Sequence, residues 1–127
     1  MRFLIVEDVP IMRRVIANAL RTIGYSEYLE AEDGSEALNL LEKEKIDFVI
    51  TDWLMPIMDG LELARQIRMN QALRDLPIIM LTTKGNKSDV VQALDANIND
   101  YIVKPFKAQT LEEKIDEILS NFKTYYI

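Results

Sequence analysis

The sequence predicts an α/β protein in which a doubly wound sheet of five parallel strands carries five helices on its two faces. Short apolar runs, such as residues 3–6 and 77–81, alternate five times with segments whose apolar residues recur at helical spacing. The runs are continuously apolar rather than alternating, which is typical of strands buried on both faces. With 127 residues, 49% of them hydrophobic, the chain can build one full core, so we expect 1–127 to be a single domain.

The first half of the chain supplies two strands, two helices and the start of a third strand. Residues 3–6 form the first strand, and Pro10 opens a helix that Gly24 ends as a C-cap. The apolar stripe of this helix consists of Met12, Val15, Ile16, Ala19, Leu20 and Ile23. A short strand follows over 26–30. The turn at 33–35 then caps a second helix, whose core face is Ala37, Leu38, Leu40 and Leu41.

The second half repeats the strand–helix alternation three times. The run at 48–50 continues through Thr51 into Asp52, and Pro56 stops the strand from continuing. The following helix is marked by Leu61, Leu63, Ala64 and Ile67. The strand at 77–81 ends in two threonines and leads to a short helix marked by Val90, Val91 and Leu94. The strand at 101–103 precedes a last helix striped by Leu111, Ile115, Ile118, Leu119 and Phe122, while the tail from Thr124 stays unassigned.

Composition excludes several classes of function. The formal net charge of −6 disfavours direct binding to nucleic acids or anionic membranes. The chain has no cysteine and no histidine, so thiol chemistry, the commonest general base and the commonest transition-metal ligand are all missing. Any metal site must therefore use oxygen ligands, which favours Mg²⁺, Mn²⁺ or Ca²⁺. No apolar run approaches the length of a membrane span, and we expect a cytoplasmic protein.

Chemically capable side chains stand where the predicted strands end. Glu7 and Asp8 follow the first strand, Asp52 ends the third, and Thr82 and Lys104 follow the fourth and fifth. Because the carboxyl ends of parallel strands lie on one edge of a sheet, we expect these groups to meet there.

Three acids at one edge need a compensating cation. Two carboxylates about 4 Å apart repel by roughly 4 kcal/mol at an effective dielectric constant near 20. Lys104 offers one positive charge and a bound Mg²⁺ would offer two. A hydroxyl and an ammonium group at the same edge suit a phosphoryl group, and aspartate can form an acyl phosphate. Asp52 is therefore the candidate nucleophile.

In this order and spacing, the motifs resemble the receiver domain of two-component response regulators, from Phe3 to Phe122. Each motif alone is weak, but together they are highly specific. They are Glu7-Asp8, Asp52 with Met55-Pro56 and Asp59-Gly60, Thr82, and Tyr101 with Lys104-Pro105-Phe106. The resemblance implies a flavodoxin-like sheet of order 2-1-3-4-5. Asp52-Trp53, Tyr101 and the absence of an output domain are most similar to the stand-alone regulators of chemotaxis.

The resemblance implies a phosphorylated, magnesium-dependent site. Asp52 would accept phosphate from a histidine kinase. Asp8 would ligate Mg²⁺, or Mn²⁺ in its place, together with Asp52 and the backbone carbonyl of Leu54, and Glu7 would assist through water. Lys104 would pair with Asp52 and later with the phosphoryl group.

The same resemblance implies a switch that reports phosphorylation. Thr82 would hydrogen-bond the phosphoryl group and draw its loop inward, and Tyr101 would then turn from exposed to buried. The bond before Pro105 would be cis. Two positions depart from the common pattern and would tune hydrolysis: Leu54 stands where asparagine is frequent, and Lys84 where an acid is frequent. Glu7 replaces the more usual aspartate, and Asn97 replaces a common glycine.

The implied partners are a histidine kinase, the flagellar motor switch or another effector, and a phosphatase, all bound by a monomer. The partner surface would lie on the fourth helix, fifth strand and fifth helix, where Lys84, Lys87, Tyr101, Lys107 and Lys114 make a locally basic face. The alternatives are a stand-alone receiver in a non-chemotaxis phosphorelay and a binding module of this fold that takes no phosphate. An enzyme reading is disfavoured, because the chain has no Walker loop and no G-x-G-x-x-G motif.

Overall fold

The computed structural model describes residues 1–83 and 85–126, and for 122–126 it describes only the backbone. The elements alternate strictly between strand and helix. They are β1 (Phe3–Val6), α1 (Pro10–Thr22), β2 (Tyr28–Ala31), α2 (Gly34–Lys43), β3 (Phe48–Asp52), α3 (Gly60–Met69), β4 (Ile78–Thr82), α4 (Lys87–Asp95), β5 (Asp100–Val103) and α5 (Ala108–Tyr126). The five strands form one sheet of order β2-β1-β3-β4-β5 with every pair parallel, which confirms the predicted fold class.

Two apolar layers cover the two faces of the sheet, because successive residues of a strand point to opposite sides. On one face, Leu4, Val49 and Ile78 pack with residues of α2 and α3 and with Ala93 of α4. On the other face, Phe3, Phe48 and Ile79 pack with α1 and α5. The continuously apolar strands are thus buried on both sides, as their composition predicted. Among the described residues, no helix combines the length and the apolar character needed to cross a bilayer.

Strand register aligns the carboxyl ends of β1, β3, β4 and β5. Val6 pairs with Thr51, Asp52 with Leu81, and Thr82 with Val103. The residues that follow these strand ends must therefore emerge side by side at one edge. The register explains why residues nearly one hundred positions apart in the sequence contribute to one site.

Several details of the helices differ from the sequence-based predictions. In α1, Val15 is 46% exposed, whereas Ala17 is buried. The buried face is centred on Ile16 and Leu20, so Val15 lies at its edge. Gly24, with φ of 101°, lies one residue beyond the C-cap Ile23 and makes the left-handed turn that ends the helix.

The second strand begins at Tyr28, two residues later than predicted, because Tyr25 is still hydrogen-bonded to the last turn of α1. In α4 the prediction rested on Val90, Val91 and Leu94, but Val91 and Leu94 are each nearly half exposed. The last helix, α5, extends through Tyr126 and so includes most of the tail that had no assignment. The side chain predicted to complete its stripe, Phe122, lies outside the described residues.

Candidate functional site

Three carboxylates converge at the carboxyl edge of the sheet. Glu7 follows β1, with its N–H donating to the carbonyl of Ala31 at 3.0 Å, so the strand ladder holds it in place. Asp8 is next in the chain, and Asp52 is the last residue of β3. One oxygen from each of Glu7, Asp8 and Asp52 lies within 4.8 Å of the other two. Three oxygen ligands at this spacing form the kind of donor set that hard divalent cations prefer.

Lys104 reaches two of the three carboxylates. Its ammonium lies 3.0 Å from Glu7 Oε1 and 3.2 Å from Asp52 Oδ1, and its side chain is only 12% exposed. Strand pairing brings it there, since its N–H donates to the carbonyl of Thr82 at 2.8 Å. The peptide bond between Lys104 and Pro105 is cis. The sequence analysis expected the contact with Asp52 and missed the one with Glu7.

Glu7 is almost fully buried, and its protonation is strongly perturbed. The pKa of its carboxyl is raised from 4.5 to about 7, mainly because burial disfavours the charged form; Asp8 and Asp52 act in the same direction, while Lys104 opposes them. Three carboxyl groups thus meet at this edge with the ammonium of Lys104 as the cation paired with two of them. This is the electrostatic condition under which a cation would be bound.

Arg13 is a residue of the site that the sequence analysis missed. Its guanidinium donates to the backbone carbonyl of Glu7 at 2.7 Å and lies 3.8 Å from Glu30. It thus fixes the backbone of the first acid from the first turns of α1. No motif signalled this contact, because it is made to a carbonyl that every residue possesses.

The backbone after β3 holds Asp52 tightly. Its Oδ1 accepts from the N–H of Trp53 at 2.8 Å, and its carbonyl accepts from the hydroxyl of Thr51 at 2.9 Å. The chain then folds back, so that the N–H of Gly60 donates to the carbonyl of Trp53 at 2.8 Å. A Cβ on Gly60 would overlap the carbonyl oxygen of Asp52. Glycine is thus required at the start of α3, where Asp59 is the N-cap.

The other predicted site residues that the structure describes differ in their exposure to solvent. Thr82 is 2% exposed at the end of β4, whereas the side chain of Leu54 is 55% exposed. Tyr101 is half-buried and packs against the core on the α2 and α3 face. Ile57, in the same loop as Leu54, has φ of 71°, which is unusual for a β-branched residue. Lys84 lies outside the described residues.

The predicted partner face contains a groove of about 510 Å³ between β5 and α5. Tyr101, Phe106 and Lys107 are among its lining residues. Lys87 and Lys107 are exposed, but Lys114 is paired with Asp100 at 2.9 Å. The face is therefore less positive than the count of lysines suggested, because an acid of β5 neutralises one of them.

Comparison with known proteins agrees with this geometry. The family model of the response regulator receiver domain matches residues 3–116. The chain is 49% identical over 120 residues to a chemotaxis protein CheY homolog of Campylobacter jejuni, covering 94% of this chain and 92% of the relative. It is 46% identical over 118 residues to chemotaxis protein CheY-3 of Vibrio cholerae, covering 93% and 91%.

A solved receiver domain is similar in fold. The receiver domain of the sensor histidine kinase PA1611 from Pseudomonas aeruginosa superposes with a TM-score of 0.84 at 34% identity, covering 94% of this chain and 97% of the other. That structure has a magnesium ion coordinated in its active-site cleft. The family model and these full-length relatives lead to one conclusion: the chain belongs to the response regulator receiver domain family.

Proposed function

We propose that Asp52 accepts a phosphoryl group from a histidine kinase in a Mg²⁺-dependent reaction, and that the phosphorylated chain binds a separate partner, the flagellar motor switch. The observation that carries the proposal is the meeting of three carboxylates and one ammonium group at the end of β3. As a receiver, the chain is a phospho-accepting signalling protein rather than a turnover enzyme.

The proposed transfer is a displacement at phosphorus. A carboxylate oxygen of Asp52 attacks the phosphorus of a phosphohistidine, forming a P–O bond while the P–N bond breaks and the imidazole leaves with the electron pair. We assign the attack to Oδ2, because Oδ1 already accepts a hydrogen bond from the N–H of Trp53 and forms an ion pair with Lys104. Hydrolysis follows when water attacks the same phosphorus, which releases inorganic phosphate and restores the carboxylate.

The site suits a divalent cation. Asp8, Asp52 and the backbone carbonyl of Leu54 are the proposed ligands, with Glu7 acting through water and Mn²⁺ as the alternative ion. When bound, the cation would neutralise charge on the phosphoryl oxygens during transfer. The magnesium ion in the related PA1611 receiver domain supports this assignment.

The switch is proposed to run from Thr82 and Lys104 to the partner face. Phosphorylation would draw the ammonium of Lys104 from the two carboxylates to the new phosphoryl oxygens, and Thr82 would donate to the same group. Tyr101, which is half-buried, would complete its burial as the loop after Thr82 closes. A partner responds only if it binds the two states with different affinity.

Chemotaxis is the favoured pathway because the relatives at 46–49% identity are chemotaxis proteins. The flagellar motor switch is then the proposed partner of the groove between β5 and α5. In this proposal the chain acts in the cytoplasm as a monomer, and a phosphatase resets it. A non-chemotaxis phosphorelay and a phosphate-independent binding module are the competing functions.

Binding to the motor switch protein in two states tests the proposal. We expect the beryllofluoride-loaded chain, with Mg²⁺ present, to bind at least tenfold more tightly than the unloaded chain. Asp52→Asn should show no such difference. Equal affinity in a sample that does accept phosphate would favour the phosphorelay. Tight binding whose affinity changes neither on beryllofluoride loading nor in Asp52→Asn would favour the binding module.

A further inference from the structure

The two ends of α4 are held very differently. Among the residues of α4, all of which the structure describes, only Ala93 is buried. Asn86, which caps the helix, and the first two helical residues are exposed. Beyond the C-terminal end, Ala96 and Ile98 are buried in the core. The helix is therefore attached to the protein mainly through its C-terminal end.

Arg68 makes this attachment from the neighbouring helix α3. Its Nε donates to the carbonyl of Asn97 at 2.8 Å, just beyond the end of α4. Its terminal nitrogens donate to the carbonyl of Leu76 at 2.7 Å, the carbonyl of Arg74 at 3.0 Å and the Oδ1 of Asn99 at 3.0 Å. One guanidinium thus joins α3, the loop before β4 and the turn after α4.

Asn99 extends the connection into the sheet. Its Oδ1 accepts from the N–H of Ile78 at 2.8 Å, and its own N–H donates to the carbonyl of Ile78 at 2.9 Å. Asn97 has φ of 62°, so the turn between the end of α4 and Asn99 has a left-handed backbone. The C-terminal end of α4 is therefore tied to the first residue of β4.

The other end of β4 belongs to the phosphoryl site. The first and last residues of this five-residue strand are four steps, or about 13 Å, apart, so Arg68 lies far from a group on Asp52. The N-terminal end of α4 follows Thr82 after a short loop. A displacement of Thr82 would therefore act on the loosely held end of a helix whose far end is fixed.

We propose that Arg68 is a positioning residue that anchors the C-terminal end of α4, so that movement of Thr82 on phosphorylation tilts the helix about this anchor. This proposal rests on the proposed phosphorylation switch and adds to it a pivot, the anchor at Arg68 about which α4 tilts. The tilt would move the exposed side chains of Val91 and Leu94, which lie on the solvent face of α4. Without the anchor, the same movement would displace the whole helix instead of tilting it.

Hydrogen exchange of the α4 amides, with and without beryllofluoride and Mg²⁺, tests the pivot without a partner. In wild type we expect loading to change exchange over residues 87–92, while 93–97 stay protected in both states. Arg68→Lys keeps the charge and the stem but loses the planar fork of donors. In Arg68→Lys we expect the amides of 93–97 to lose protection from exchange. We also expect the change in exchange that loading causes at 87–92 to fall by more than half. The beryllofluoride concentration that saturates Arg68→Lys should be within twofold of the concentration that saturates wild type.

Arg65→Met is the matched control, because Arg65 lies on the same helix, is exposed, and is paired with Glu62 at 3.9 Å. It should exchange like wild type. An Arg68→Lys protein that responds like wild type overturns the pivot alone, and so does one whose beryllofluoride requirement rises tenfold, since Arg68 would then act on the site itself. If beryllofluoride does not change the exchange of the α4 amides in wild type, both the proposed switch and the pivot are overturned.

Discussion

The ammonium of Lys104 lies 3.0 Å from Oε1 of Glu7, although 97 positions separate the two residues in the sequence. The same ammonium is 3.2 Å from Asp52. Lys104 therefore divides one positive charge between the proposed phosphoryl acceptor and a carboxylate that is almost fully buried. This shared contact explains how three acids persist at the end of the sheet before any cation binds, and how a new phosphoryl group could redirect the lysine.

Glu7 should make the stability of the metal-free protein depend on pH. Its pKa is about 7 when folded and 4.5 ordinarily, so the folded protein retains the proton that the unfolded chain releases between these values. The stabilisation is complete below pH 4.5 and is lost as pH rises through 7. Relative to Glu7→Gln, the unfolding free energy of wild type should fall by on the order of 3 kcal/mol from pH 4.5 to 8. Urea denaturation with EDTA measures this, and a constant difference would contradict the assignment.

Leu54 should slow the hydrolysis of phospho-Asp52. Its exposed side chain stands at the rim of the site, where it is expected to impede the attacking water. Leu54→Asn should therefore dephosphorylate faster, by roughly tenfold, which corresponds to about 1.4 kcal/mol of activation free energy. Loss of radiolabel from the purified phosphoprotein measures the rate. An unchanged or slower rate in Leu54→Asn would reject this role.

Gly60 should be far more sensitive to substitution than Gly24. A Cβ at Gly60 would overlap the backbone carbonyl of Asp52, whereas none of the described heavy atoms lies within 4 Å of one at Gly24. Gly60→Ala should cost roughly 3 kcal/mol or more and weaken beryllofluoride binding. Gly24→Ala should cost about 1 kcal/mol, because its φ of 101° is strained for alanine, and should leave that binding intact. Equal costs in urea denaturation would show that the close approach is unimportant.

Lys107 should contribute to partner binding without affecting phosphorylation. It is exposed and lines the groove between β5 and α5, so Lys107→Glu should weaken binding of the motor switch protein by roughly tenfold at low salt. Lys114 is a poorer choice, because reversing its charge would also break its pair with Asp100. Lys45→Glu, on an exposed site after α2, is the matched control. If both variants bind alike, the partner surface lies elsewhere.

The meeting of the three acids was predictable because it depends on local patterns and one geometric rule. Continuous apolar runs ending in acids predicted that Glu7, Asp8 and Asp52 would meet, and strand register brings them together. The caps at Asp33 and Asp59 were predictable for the same reason, since an Asp-Gly pair before an apolar stripe is a local signal.

What escaped prediction depends on contacts between distant parts of the chain. The bonds from Arg13 and Arg68 end on backbone carbonyls, which carry no sequence signature. The pairing of Lys114 with Asp100 required knowing how α5 lies against β5. Val15 was misassigned because periodicity gives the centre of a buried face more reliably than its edge.

The central claim is that Asp52 is the residue that these neighbours make reactive. Intact mass spectrometry after incubation with acetyl phosphate and Mg²⁺ tests it most directly, followed by reduction with borohydride to locate the modified aspartate. We predict a gain of about 80 Da that disappears with EDTA and in Asp52→Asn, while Asp33→Asn retains it. A gain that survives Asp52→Asn, or no gain in the wild-type protein, would contradict the account.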